Sequence, residues 1–124
     1  MIVASFLVKD LNIAWQKGAQ WFLERLLDAD LASNSFNWQW CAGTGPDAQP
    51  FFRIFNPLLQ SKKFDAEGTY IRKWVPELND LPAAMIHAPS NEVRQKCGYP
   101  LPLVNHGIVK KEALDRYRKR YRAA

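Results

Sequence analysis

The chain has 124 residues, 48% of them hydrophobic and 23% charged, which suits one domain with its own core and excludes a disordered tail or a repeat array. Its formal charge of +5 lies in one segment: residues 109–122, VKKEALDRYRKRYR, hold seven of the 17 Lys and Arg and two of the 12 acids. The rest is formally neutral, so the charge implies no basic surface over the whole chain.

The opening MIVASFLV ends at Lys9 and Asp10, too short for a membrane span and without the basic start of a signal peptide. A cytosolic (cytoplasmic) chain with no membrane association is expected. Cys41 and Cys97 then default to free thiols. With His87 and His106 far apart, no metal-ligand spacing arises, and no metal is expected.

Residues 2–11 and 13–28 read as helices. In the second, Trp15, Ala19, Phe22 and Leu26 recur at helical spacing on one apolar face, while Lys17, Glu24 and Arg25 look outward. The stretch 28–45 reads as a loop or short helix closed by Gly43, Gly45 and Pro46. The run AQPFFRIFNP ends at Pro57. Asp65 is a plausible N-cap for AEGTYIRKW, which Pro76 stops soon after Trp74. Between Asn79 and Pro102 four prolines leave loops and one short helix near Ser90–Lys96. The basic segment 109–122 is a C-terminal helix carrying Ala113, Leu114, Tyr117 and Tyr121 on an apolar stripe; docking by that stripe with a solvated basic face outweighs phosphate binding. No alternating β pattern is present, so the fold class is all-α.

Aromatic residues make 13% of the chain, most of them between Trp15 and Trp74. The segment DLASNSFNWQWCAGTG places Trp38 and Trp40 after the carboxylates Asp28 and Asp30. Carboxylates and an Asn amide can pair with the edge of a heterocycle, and indoles can stack or be oxidised. Ordinary packing is the commoner role of a WxW, and composition alone leaves these readings open. GTG is no dinucleotide fingerprint, since no strand precedes it and Pro46 follows.

The string DADLASNSFNWQW, continued by CAGTGPDAQPFFRIFNPLLQSKKFDAEGTYIRKWVPEL, resembles the C-terminal part of the FAD-binding helical domain of DNA photolyases and cryptochromes. MIVASFLVKDL and YPLPLVNH extend the likeness from Met1 to about His106. The resemblance implies a single incomplete domain over residues 1–124, the cofactor FAD, damaged DNA as partner, and a light-driven lyase that splits pyrimidine dimers by electron transfer from reduced flavin.

The resemblance also implies roles for individual residues. Asp28, Ala29, Asp30 and Asn34 line the isoalloxazine edge, with Asp28 pairing with an arginine, Asp30 by the pyrimidine edge and Asn34 facing N5. An amide there, unlike an acid, has no proton to deliver, which favours repair through the reduced anionic flavin. Trp38 and Trp15 match the flavin-proximal and middle members of a photoreduction relay whose third tryptophan precedes Met1. Met1 and Trp40 match lesion contacts, and Arg53, Gln60 and Lys62 match a stretch approaching the DNA backbone. For Arg53, structural pairing and phosphate contact weigh equally. The antenna domain and the first half of the flavin domain would precede Met1, along with the arginine expected for Asp28. Half a site is therefore expected, one that binds FAD weakly or not at all in the chain alone, with accessible Asp28, Asp30 and Asn34 and with self-association, or the missing segment, covering apolar surface. Cryptochrome-type photoreception and a non-enzymatic helical remnant that self-associates or binds nucleic acid are the alternatives.

Overall fold

Helix α1 (Ile2–Ser5) runs without a break into a π-helical turn, Phe6–Asp10, closed by the Leu11 N–H donating to the Phe6 carbonyl at 3.0 Å. The structure is a computed structural model that describes residues 1–46 and 53–122, with backbone only for residues 120–122. The side chain of the expected stripe position Tyr121 and the part of the aromatic run before Arg53 lie outside what is described.

Next come α2 (Trp15–Arg25), α3 (Leu31–Ala42), α4 (Pro57–Phe64), α5 (Thr69–Trp74), a 3-10 turn (Pro76–Leu78), α6 (Ala83–Ile86), α7 (Asn91–Cys97) and α8 (His106–Arg122). Among the described residues there is no strand, so the all-α class holds. They divide into two compact units: one of residues 1–55 and 104–124, the other Asn56–Leu103.

In the first unit Ala4, Ala19, Trp38 and Cys41 form the buried cluster, with Leu7, Val8, Trp15, Phe22 and Trp40 packed against it. The helix expected over 13–28 is shorter at both ends, and Leu26, placed on the apolar face by spacing, is half exposed because the chain has already turned extended there. Gly18 is required by close approach. A Cβ at that position would enter the Trp38 ring, with Cζ2 2.9 Å away and two further ring carbons nearer still.

The stretch expected as loop or short helix is instead the full helix α3. Asp30 caps its N-terminus by accepting the Ser33 N–H at 2.7 Å, and Gly43, at φ 72°, closes its C-terminus, where the Thr44 N–H reaches back to the Gln39 carbonyl at 3.0 Å. Ser, Asn and aromatics are mediocre helix formers. The caps and the burial of Trp38 and Cys41 override them.

The second unit is loop-rich and held by polar ties. The Arg72 guanidinium donates to the carbonyls of Glu67, Asn79 and Leu81, and Leu78, Ile86 and Pro89 are buried in this unit. Helix α4, absent from the sequence-based assignment, opens on the Asn56 side chain accepting the Leu59 N–H, with Pro57 at its first position. Gly68, not Asp65, is the residue flanking α5. Asp65 still caps it from upstream, its two oxygens accepting the N–H groups of Tyr70 and Ile71 at 3.0 Å each, which holds its carboxyl below the ordinary range. Helix α7 forms where a short helix near Ser90–Lys96 was expected, with Ser90 as its cap, and Pro76 ends α5 on schedule. Short helix α6 was not foreseen.

Helix α8 begins at His106, three residues earlier than expected, and buries Ala113 with Leu114 and Tyr117 half-buried. His106 Nδ1 meets Asp10 Oδ1, and Arg116 donates to the Lys9 carbonyl at 3.3 Å. Lys9 and Asp10, which end the apolar opening run, are both buried.

Candidate functional site

In the first unit a cavity of about 320 Å3 opens between α1, α2 and α3. Its walls include Met1, Asp28, Ala29, Asp30, Asn34 and Trp38, six of the residues singled out by sequence, together with Ala4, Phe22, Leu26, Ser33, Asn37 and Cys41. Local structure explains the gathering. The turn at 26–30 ends α2 and caps α3, which sets Asp28, Ala29 and Asp30 at the rim, while Asn34 and Trp38, four apart on α3, share the face turned to α2.

Asp28 and Asp30 are exposed as expected, whereas Asn34 is half-buried and tied down: its Nδ2 donates to the Ala19 carbonyl at 2.7 Å. That bond leaves the amide oxygen and one N–H for a ligand. Trp38 is 3% exposed and meets Phe22 edge-to-face, centroids 5.1 Å apart at 84°. Trp15 is half-buried against the same cluster but does not line the cavity. Trp40, two residues along the helix from Trp38 and so about 200° round it, also stays outside the cavity walls, half-buried. The helix, rather than a loop, is what sends the two indoles to different surroundings.

Cys41, which carried no site role in the sequence reading, lies in the cavity wall; only its helical register with Trp38 could have signalled it. Burial pushes its thiol pKa up, partly opposed by the positive charges of the N-terminus and Lys9. Asp30 is held below the ordinary 3.8 by the Ser33 N–H. Because the folded value is depressed, the cap contributes above the unfolded value and is lost as pH falls through the folded one. Asp30→Asn, which keeps a capping oxygen, is expected to remove this acid-limb dependence from the helical circular dichroism while retaining helix content at neutral pH.

The DNA-facing residues expected from sequence divide between the units. Arg53 is exposed in the first, with its guanidinium 4.5 Å from the Phe55 ring centroid, so the structural pairing is present. In the second, Gln60 is half-buried and Lys62 exposed on the C-terminal half of α4. Among the described residues no cluster of three or more His, Cys, Asp or Glu could hold a metal, and no helix is long and apolar enough to cross a membrane.

A fold with this helical cavity, an aromatic wall and an acid-amide rim is that of a flavin-binding helical domain. The chain belongs to the family of the FAD binding domain of DNA photolyase, whose family model matches residues 1–119. A deoxyribodipyrimidine photo-lyase of Agrobacterium fabrum is 53% identical over 126 residues, covering 94% of this chain and 26% of the relative. Among solved structures, a class III photolyase from Agrobacterium tumefaciens matches with a TM-score of 0.84 at 52% identity, over 95% of this chain and 26% of that one. A Synechocystis cryptochrome matches with a TM-score of 0.81 at 43% identity, over 91% and 25%. The chain thus spans about a quarter of the length of its relatives.

FAD is the family's cofactor, and the residues present fit part of it. The cavity is at the small end of the roughly 300–1,000 Å3 of ligand sites, room for a fused ring system but not for a whole dinucleotide. An amide held by its NH2 and two carboxylates at the rim offer acceptors suited to the N–H edge of such a ring.

Proposed function

We propose that this chain forms the flavin-ring end of the site of a light-driven deoxyribodipyrimidine photo-lyase, together with part of its DNA-binding surface. The observation that carries the reading is the single cavity that joins Asp28, Ala29, Asp30, Asn34, Trp38 and Met1. When bound and reduced, FAD supplies under light the electron that opens the cyclobutane ring of a pyrimidine dimer.

The chain's own residues bind, orient and supply electrons. Asn34 accepts a ring N–H through the oxygen that its bond to Ala19 leaves free; an amide holds this position without an acidic proton. Asp28 at the rim pairs with a cation from outside this chain, and Asp30 accepts from the pyrimidine edge while one oxygen holds the Ser33 N–H. Trp38 in the cavity wall and Trp15 on the same buried cluster relay electrons toward the ring. Met1, 59% exposed at the cavity mouth, and Trp40 contact the extruded dimer, Trp40 by stacking. Arg53, Gln60 and Lys62 take the phosphates, which position without reading sequence. Such a protein works on DNA in the cytoplasm, where Cys41 and Cys97 stay free.

A cryptochrome-type photoreceptor is the second reading, favoured by the likeness to the Synechocystis protein; it uses Trp38 and Trp15 but needs no lesion contact. Exposed Leu27, Leu31 and Phe36 in the first unit supply apolar surface for the rest of the flavin domain or for a second copy.

The test is cofactor loading. The 124-residue chain by itself is expected to purify without stoichiometric flavin absorbance. The Agrobacterium fabrum photo-lyase with its matching segment replaced by this chain is expected to load FAD. A folded chimera that binds no flavin would refute the assignment of the cavity.

A further inference from the structure

The buried positions of the first helix are Ala4 and Ser5, then Lys9 and Asp10, a spacing of five where an α-helix repeats at three or four. The π-helical turn produces that spacing, and such turns concentrate at functional places. It drives a lysine and an aspartate into the interior, and each is used. The Lys9 ammonium donates to the Arg53 carbonyl, Asp10 meets His106, and the Lys9 carbonyl accepts from Arg116. Just before the turn, Ser5 Oγ accepts the Phe55 N–H at 3.2 Å. Segment 53–55 and helix α8 are therefore both fastened to the short helix whose other end, Met1 and Ala4, forms a wall of the cavity.

We propose that Asp10, His106 and Arg116 are positioning residues that couple helix α8 to the cavity: they lock α8 onto the π-turn, and the π-turn sets the Met1–Ala4 wall. The geometry of the cavity carries this, whatever ligand fills it. Asp10 has a side chain with no solvent exposure, and its Oδ2, like His106 Nε2, is buried without a hydrogen-bond partner among the described residues. Burial also pushes the Lys9 ammonium pKa down, with Cys41 acting the other way.

Cys41 makes the coupling measurable, because its thiol is 3% exposed and lines the cavity. The experiment is alkylation of the 124-residue chain by iodoacetamide, mapped by peptide mass, alongside amide hydrogen exchange. His106→Ala is expected to speed modification of Cys41 about tenfold, inside the roughly 5–150-fold range of intramolecular couplings, with exchange in α2 unchanged. His106→Gln, which keeps a donor for Asp10, is expected to return most of the protection. Arg116→Ala, which removes the tie to the Lys9 carbonyl and, with it, an exposed pairing with Glu112 within α8, is expected to give a smaller rise of the same selectivity and decides the matter if His106→Ala does not fold. Unchanged Cys41 reactivity would overturn the proposal. So would faster modification accompanied by loss of α2 protection, since His106 would then only hold the unit folded.

Discussion

Trp38→Phe, introduced into the photo-lyase chimera that carries this chain, is expected to abolish photoreduction of oxidised flavin while leaving repair intact once the flavin is chemically reduced. The substitution keeps an aromatic ring in the cavity wall but removes the oxidisable indole. Trp38 is 3% exposed, meets Phe22 edge-to-face and shares its buried cluster with Trp15, so an electron entering from Trp15 has no better-placed indole in the cavity wall. Loss of repair in both oxidation states would instead mark Trp38 as a packing residue whose shortening disturbs the site. Normal photoreduction would remove it from the relay. Transient absorption under blue light, with and without prior dithionite reduction, separates these outcomes.

Gly18→Ala should destabilise the chain strongly for one methyl group. The new Cβ would lie inside the contact distance of three Trp38 ring carbons, and Trp38 is pinned by Phe22 and the Ala4–Ala19–Cys41 cluster. Overpacking of this kind costs about 1–3 kcal/mol, and a clash with three ring carbons at once belongs at the upper end of that range, above the roughly 1 kcal/mol that alanine recovers over glycine within a helix. Because the clash is with one side chain, Trp38→Phe should relieve it. The double mutant is expected to be less destabilised than the sum of the singles by about 0.5–3 kcal/mol, the range for residues in contact. Urea denaturation of the four proteins measures this. Strict additivity would mean that the α2–α3 contact gives way elsewhere.

Much of this architecture is legible in the sequence where local chemistry decides it. The stop at Pro76 is legible because a missing N–H acts within a few residues, and the short helix near Ser90–Lys96 forms where it was expected. Asp65 reads correctly as a cap, although it works from three residues before Gly68. The cavity rim was legible for another reason: Asp28, Asp30, Asn34 and Trp38 sit in one ordered string resembling the family, and α3 gathers them on one side.

What sequence hid is non-local. Helix α3 has weak intrinsic propensity and is stabilised by its two caps and by burying Trp38 and Cys41, so it read as a loop or short helix rather than a full one. The π-turn leaves no periodic signal, and it is the reason Lys9 and Asp10, polar residues that end the apolar opening run, are interior. Asp10 and His106 lie 96 residues apart, and no local pattern announces such a pair. Cys41 reached the cavity wall by helical register alone.

The most direct test of the central claim, that this chain builds the flavin-ring end of a repair site, is light-dependent splitting of cyclobutane pyrimidine dimers by the FAD-loaded chimera with reduced flavin. Dimer loss under blue light, absent in the dark and greatly slowed when Trp40→Ala weakens lesion binding by about 1–3 kcal/mol, is the predicted result. A chimera that folds, carries reduced FAD and binds dimer-containing DNA, yet leaves the dimers intact under illumination, would contradict it.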